Sequence, residues 1–450
     1  MNKYIGMLKI LNYPQMIAIG YFFIIMIGGL LLALPIASRD NISVGFIDAL
    51  FTATSAACVT GLIVFDTYTQ WSIFGQLIIL FLIQIGGLGF MTIITMFSFF
   101  LKRKIGLRER GLLRESMNTL HIGGIVRLVK RILIATLLFE GVGAMVLAAR
   151  FIPKMGVIEG IYRGVFHSIS AFCNAGFDLM GKYEAYSSLI HFSDDIVVNL
   201  TIMLLIILGG LGFFVWDDVM KNKYHFKKYQ LHTKIVLVTT VVLIVAGAVG
   251  FYIFERKNLL LEMTMGEKVI ISLFGSVTPR TAGFNTVDIA GLTQATKLLT
   301  MMLMFIGGSP GSTAGGIKTT TLAVIAISLW SSLRHTKGDN IFGRRLEDNA
   351  LKRASAVVSV NLIMILTATF LIITTNASLP LGNVIFEVIS AIATVGLSTG
   401  ITDTLNPFAH IIIILLMYCG RVGSLSFALL FTEHKTPSFV QSPTEKITIG

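Results

Sequence analysis

The chain alternates long apolar runs with short polar breaks, and the run lengths predict its elements. A helix needs about 20 apolar residues to cross the hydrocarbon core. Eight runs are long enough: 15–36, 73–101, 126–150, 196–220, 232–254, 297–332, 354–375 and 408–432. The sixth is interrupted by a glycine-, serine- and proline-rich stretch at 307–316. Shorter apolar stretches of about a dozen residues lie near 46–57, 160–172, 267–278 and 381–392, too short to span. Each is followed by a glycine-bearing turn, so each is expected to dip into the membrane and return. The run at 15–36 is too long for the apolar core of a signal peptide and is expected to be a retained span.

The short stretches repeat one another. Phe51-Thr52-Ala53-Thr54-Ser55-Ala56 leads to Gly61, Phe166-His167-Ser168-Ile169-Ser170-Ala171 to Gly176, and Phe386-Glu387-Val388-Ile389-Ser390-Ala391 to Gly396. The third copy departs around Pro279 but ends alike, in Arg280-Thr281-Ala282-Gly283-Phe284. The four glycines are 115, 107 and 113 residues apart, a period that marks repeated units. The spans that follow also match, Ile85-Gly86-Gly87-Leu88-Gly89-Phe90 with Leu208-Gly209-Gly210-Leu211-Gly212-Phe213. The fold class expected is an all-α membrane protein of four fused helix–pore loop–helix repeats around a pseudo-fourfold axis, like a potassium channel. The expected units are repeat 1 at 1–115, repeat 2 at 116–230, repeat 3 at 231–345 with an intramembrane loop at 307–318, repeat 4 at 346–432, and a cytoplasmic tail at 433–450. Each unit has two full spans, so all four point the same way, unlike the inverted halves of many carriers.

Charge adds orientation. Basic residues concentrate in the loops 102–115, 221–234 and 334–353, each after an even-numbered span. The positive-inside rule then puts both termini in the cytoplasm of a multi-pass cell-membrane protein. These loops account for most of the net charge of +12 without nucleic acid as a partner. Composition agrees with a lipid partner, since 54% of residues are hydrophobic and 13% charged, about half the charged share of a soluble domain. Cys58, Cys173 and Cys419 form no metal set or disulfide framework, and no cofactor is expected.

Non-helical backbone at membrane depth survives only where protein or water satisfies it. Four such turns can close a ring whose carbonyls replace an ion's hydration shell. Glycine reaches positive φ without a Cβ penalty, and the C-terminal end of each preceding short helix favours a cation. The candidate ion-binding residues are Val59, Thr60 and Gly61; Asn174, Ala175 and Gly176; Thr281, Ala282 and Gly283; Thr394, Val395 and Gly396. These turns carry no carboxylate, which fits a monovalent cation, K+, held at the filter only. Close helix packing is the bland alternative for one glycine; four in register argue against it. Asp66, Asp178, Asp288 and Asp403 follow the glycines by two to seven residues, an acidic mouth or ordinary loop acids. His167 and Glu387 are read as satisfied core residues.

The interrupted sixth span suggests a gate. Gly307, Gly308, Gly311, Ser312, Thr313, Gly315 and Gly316 cannot sit in a continuous helix. Arg421 falls at matching depth in the eighth span, where an arginine faces the bundle interior and could donate to the loop's free carbonyls. Lys318 belongs to the same group or snorkels. The segment is not a phosphate loop, because Ile317 separates the second glycine from the lysine. Convergent acid, base or metal groups of an enzyme are missing from the pattern.

With these residues together, the chain resembles the Trk/Ktr/HKT superfamily of cation transporters over essentially its whole length. Thr278-Pro279-Arg280-Thr281-Ala282-Gly283-Phe284-Asn285 makes it most similar to the membrane subunit of bacterial Ktr potassium-uptake systems. The resemblance implies potassium uptake through a filter at the four turns, a gate at 307–318, and Arg421 beneath the filter. It implies a homodimer and a separate cytosolic ring of nucleotide-binding regulatory subunits. In related plant proteins a serine at the first filter glycine accompanies sodium transport, so Gly61 points to potassium. A sodium-coupled or sodium-selective transporter of the same architecture is the alternative, with Na+ as a possible coupling ion.

Overall fold

The computed structural model describes residues 12–101, 105–116, 124–335 and 338–423. The expected tail at 433–450, the end of the eighth span, and the basic residues Lys102, Arg103, Lys104 and Lys337 lie outside the described residues.

Among the described residues, four single helices are long and apolar enough to cross a membrane: Tyr13–Leu32, Ile125–Met155, Leu231–Glu255 and Ala350–Thr375. Each is the first span of its repeat. Their outer faces carry Phe22, Phe23, Ile27, Leu137, Val241, Val245, Leu362 and Phe370 exposed, apolar surface of the kind that faces lipid or a partner chain. Each leads to a short helix, Phe46–Ala57, Val157–Phe172, Met265–Val277 or Leu381–Ile392, whose C-terminal half is buried. The first spans grip these helices closely. Ser168 Oγ donates to Glu140 O at 2.7 Å, and Ser276 Oγ donates to Ile244 O at 2.7 Å. A Cβ on Gly143 would stand 2.6 Å from that Ser168 hydroxyl.

The second spans begin in register. Ser72, Asp195, Thr293 and Asn406 each cap the next helix, accepting from the backbone N–H of Gly75, of Val197 and Val198, of Thr296 and of Ala409. These caps satisfy donors that a helix start otherwise leaves open.

The expected continuous helices at 73–101 and 196–220 are not what forms. Ile73–Leu88 ends at Gly89 and the chain restarts as Phe90–Phe100. Ile196–Leu211 ends at Gly212, and Phe213–Asn222 leaves at 95°. The described part of the eighth span is the helix Pro407–Val422, capped by Gly423. Gly89, Gly212 and Gly423 have φ of 79°, 96° and 96°, left-handed values that stop a helix. At Gly212 the tertiary reason is visible. Phe213 N–H donates to Gly311 O at 2.8 Å, outside its own helix. A Cβ on Gly212 would stand 2.7 Å from Pro310 O. The sixth span is broken as expected, into Gln294–Phe305 and Thr319–Leu333. A small antiparallel hairpin, Asn340–Ile341 with Arg344–Arg345, follows it.

Candidate ion pathway

The turn after each short helix has one construction. Val59, Asn174, Thr281 and Thr394 have φ between 52° and 67°, and Gly61, Gly176, Gly283 and Gly396 between 71° and 92°. Two left-handed residues thus flank Thr60, Ala175, Ala282 or Val395. Glycine alone was expected at positive φ; a non-glycine shares it in every turn, a strained choice for β-branched Val59, Thr281 and Thr394.

A buried hydroxyl on the short helix, or on the residue that caps it, ties each turn down. Ser55 Oγ accepts from Gly61 N at 3.0 Å, and Ser390 Oγ accepts from Gly396 N at 3.1 Å. Ser170 Oγ donates to Phe177 O at 2.7 Å. In the divergent third repeat Thr278 Oγ1 donates to Phe284 O at 2.6 Å. Thr278 stands one residue nearer its glycine than the serines do, which is why the motif breaks there while its role persists. Three of these hydroxyls were visible as the motif serine; Thr278 was not.

The turns close on one another. A Cβ on Gly176 would stand 2.7 Å from Ala282 O, and one on Gly283 would stand 2.6 Å from Val395 O. One on Gly396 would overlap Thr60 O, and one on Gly61 would overlap Ala175 O. The contacts run in the order 1–2–3–4 and return to 1. A cavity of about 290 Å³ touches all four glycines on one face, and one of about 460 Å³ lies on the face of the 306–318 loop.

Asp178, Asp288 and Asp403 line the smaller cavity. Asp66 does not: it is buried, caps Tyr68 N and Thr69 N, and accepts from Tyr186 N at 3.1 Å. Burial, then the neighbouring charge of Asp66, pushes the Asp178 carboxyl up to about 7.

The 306–318 loop is closely hydrogen-bonded. Gly307 N donates to Ile317 O at 2.9 Å and Thr319 N to Gly308 O at 3.0 Å, closing the loop at its neck. Ser309 N donates to Gly210 O at 3.0 Å and Thr313 N to Gly209 O at 3.3 Å, fastening it to repeat 2. Gly311 and Gly316 take φ of 67° and 65°. Gly307 and Gly315 are needed for close approach, since a Cβ on Gly315 would overlap Thr394 Oγ1. Ser312 Oγ donates to Ser309 O at 2.7 Å. The tip meets the second turn, where Thr313 Oγ1 lies 3.3 Å from Asn174 Oδ1. Asn174 Nδ2 in turn donates to Arg280 O at 3.3 Å.

Arg421 joins three repeats. Its guanidinium donates to Thr313 O and Gly86 O, and to Gly87 O at 3.3 Å. Lys318 Nζ does not snorkel away but donates to Ala314 O at 2.8 Å and Gly315 O at 3.2 Å. Both cations border the larger cavity. Glu140, mid-span, is met by Gln84 Nε2 at 3.1 Å, a buried pairing with no sequence signature.

The chain thus forms a ring of four turns with a cavity on one face, and a bonded loop that borders a second cavity. A family profile described as TrkH, cation transport protein, matches residues 14–442. The chain belongs to the TrkH family of cation transport proteins. Among relatives, the potassium/sodium uptake protein NtpJ of Enterococcus hirae is 40% identical over 98% of each chain. The Ktr system potassium uptake protein B of Bacillus subtilis is 42% identical, covering 97% of this chain and 96% of its own. The crystal structure of the potassium transporter TrkH from Vibrio parahaemolyticus superposes with a TM-score of 0.74 at 18% identity, over 94% of this chain and 86% of that one. The TrkH-family chain is thus a multi-pass membrane transporter rather than an enzyme, with the four-repeat fold the sequence pattern implied.

Proposed function

We propose that this chain takes potassium ions up into the cell through the ring of four turns. The supporting observation is the cyclic contact of Gly61, Gly176, Gly283 and Gly396, all four bordering one cavity. The backbone carbonyls beside Thr60, Ala175, Ala282 and Val395 serve as the filter, and K+ is the ion they hold. The 307–318 loop is the gate, with Arg421 and Lys318 bonded to its carbonyls. The basic loops face the cytoplasm, so both termini do, and the acid-lined cavity opens outside. The repeats divide near 115, 230 and 345. As implied for Ktr-like membrane subunits, the chain works as a homodimer on a cytosolic ring of nucleotide-binding subunits. The names of its relatives support uptake of potassium, and one of them adds sodium; a sodium-coupled or sodium-selective transporter is therefore the second reading.

The test is uptake in cells lacking their own potassium importers, supplied with candidate cytosolic partners. Rescue at low external potassium, weakened by Gly61→Ser, Gly176→Ser and Gly283→Ser, is expected. Rescue indifferent to all three glycines would sink the filter assignment, and uptake that saturates with sodium instead would favour the second reading.

A further inference from the structure

Each filter strand must be held beyond its glycine, or the ring can change width. Two strands are held by their own short helices. His167 Nε2 accepts from Leu179 N at 3.3 Å, three residues past Gly176. Glu387 accepts from Ser398 Oγ at 2.9 Å, two residues past Gly396, and from Thr402 Oγ1. His167 and Glu387 occupy the same repeat position, nine residues before their glycines. In repeats 1 and 3 that position is Thr52 and Phe274. Thr52 Oγ1 donates to Asp48 O in its own helix at 3.0 Å, and Phe274 offers no polar atom. Beyond the Ser55 and Thr278 bonds, strands 1 and 3 therefore lack this outer tie from their own short helices.

The external segment of repeat 2 supplies it. Tyr186 OH donates to Val64 O at 3.0 Å, three residues past Gly61. Ser188 Oγ accepts from Asn285 N at 3.1 Å, two residues past Gly283, and Leu189 N donates to Asn285 O at 2.8 Å. Strands 1 and 3 each touch 2 and 4 in the ring, so they stand opposite each other. A single stretch of three residues joins them across the mouth. Tyr186 and Ser188 both line the cavity that reaches the four glycines. Tyr186 and Ser188 have φ of 63° and 46°. Such strain persists only where surrounding contacts over-determine it, and it clusters at functional sites. The segment is anchored at its start as well, where a Cβ on Gly181 would overlap the Asp66 carboxylate.

We propose that Tyr186 and Ser188 form a strap that positions filter strands 1 and 3 and thereby sets the preference for potassium over sodium. Carbonyl selectivity depends on the spacing and field of the ring, and a binding constellation holds its geometry only through the groups that brace it. Two or three residues past the glycine, strands 2 and 4 are held by their own short helices, whereas strands 1 and 3 are held there by this segment. Tyr186 and Ser188 are positioning residues and need not touch the ion. The proposal rests on the potassium-filter reading given above.

The experiment measures potassium uptake and its inhibition by sodium for Tyr186→Phe, Ser188→Ala, Ser188→Gly, Ser188→Asn and the Tyr186→Phe/Ser188→Ala double variant. Gly61→Ser serves as the reporter of the filter itself. Each single loss of a hydrogen bond is expected to raise the potassium KM and the sodium inhibition about threefold, the effect of one modest hydrogen bond. The double variant exceeds either, with Vmax and melting temperature unmoved. Ser188→Gly keeps the left-handed backbone but loses the acceptor and behaves like Ser188→Ala; Ser188→Asn keeps both and restores selectivity. Tyr186→Phe preserves the ring's packing and decides the matter if the serine variants accumulate poorly. The strap is overturned if Gly61→Ser shifts selectivity while Tyr186→Phe and the double variant keep wild-type KM and sodium inhibition. If Gly61→Ser also changes nothing, the filter reading falls first and the strap falls with it.

Discussion

Arg421 and Thr313 are 108 residues apart in the chain and joined by a hydrogen bond from guanidinium to backbone carbonyl. The same guanidinium holds Gly86 O and Gly87 O of repeat 1. One side chain thus fixes the tip of the loop against the helix ends that surround it. Hydrogen bonds from a charged donor contribute roughly 1.5–3 kcal/mol each. Arg421→Ala is expected to release the loop and raise the maximal rate of rubidium uptake several-fold with little change in KM. Unchanged or lower Vmax in correctly inserted protein would count against the gate.

Adjacent glycines give a sharper contrast. A Cβ on Gly209 would overlap Phe172 O, while the nearest atom to one on Gly210 is Asn174 Nδ2 at 3.6 Å. Gly209→Ala should lose uptake and melt well below the wild type, because the clash is with backbone. Gly210→Ala should stay within about 0.5 kcal/mol of it, the range for an undisturbed site. Thermal unfolding in detergent separates the two.

Thr278 replaces the motif serine of the other repeats, with its hydroxyl bonded to Phe284 O. Thr278→Val keeps the shape and removes the donor. A buried acceptor left open costs about 1–3 kcal/mol. Potassium KM should rise for Thr278→Val and remain near wild type for Thr278→Ser, as measured by concentration-dependent uptake.

Asp178 brings pH into the mouth. Its carboxyl is pushed up to about 7 in the folded protein from an ordinary value of 3.8. The folded state therefore binds more protons than the unfolded state between those values. Stability from this group is present at acid pH and is lost as pH rises towards 7. Ionisation has the opposite effect on transport, since the negative form concentrates cations at the mouth. Potassium KM at limiting salt should be higher at external pH 6 than at pH 8, and Asp178→Asn should flatten the dependence. A dependence that survives the substitution assigns it to another group.

The number and length of the apolar runs, the fourfold spacing of glycines and the placement of Arg421 were all legible in the sequence, because lipid imposes a minimum run length and repeats preserve register. The broken sixth span was legible too, since no helix accommodates 307–316. The breaks at Gly89 and Gly212 were not. A glycine among apolar residues in a membrane span is compatible with a straight helix, and only Gly311 O beside Phe213 N made Gly212 turn. Asp66 looked like Asp178, yet one caps a helix and the other lines the cavity. Local sequence thus determined which apolar segments are long, which are short, and that the sixth is broken. Which carbonyl meets which glycine, and that Tyr186 and Ser188 reach strands 1 and 3, was decided by the tertiary structure, because those contacts join residues about a hundred positions apart and no local pattern encodes a partner at that distance.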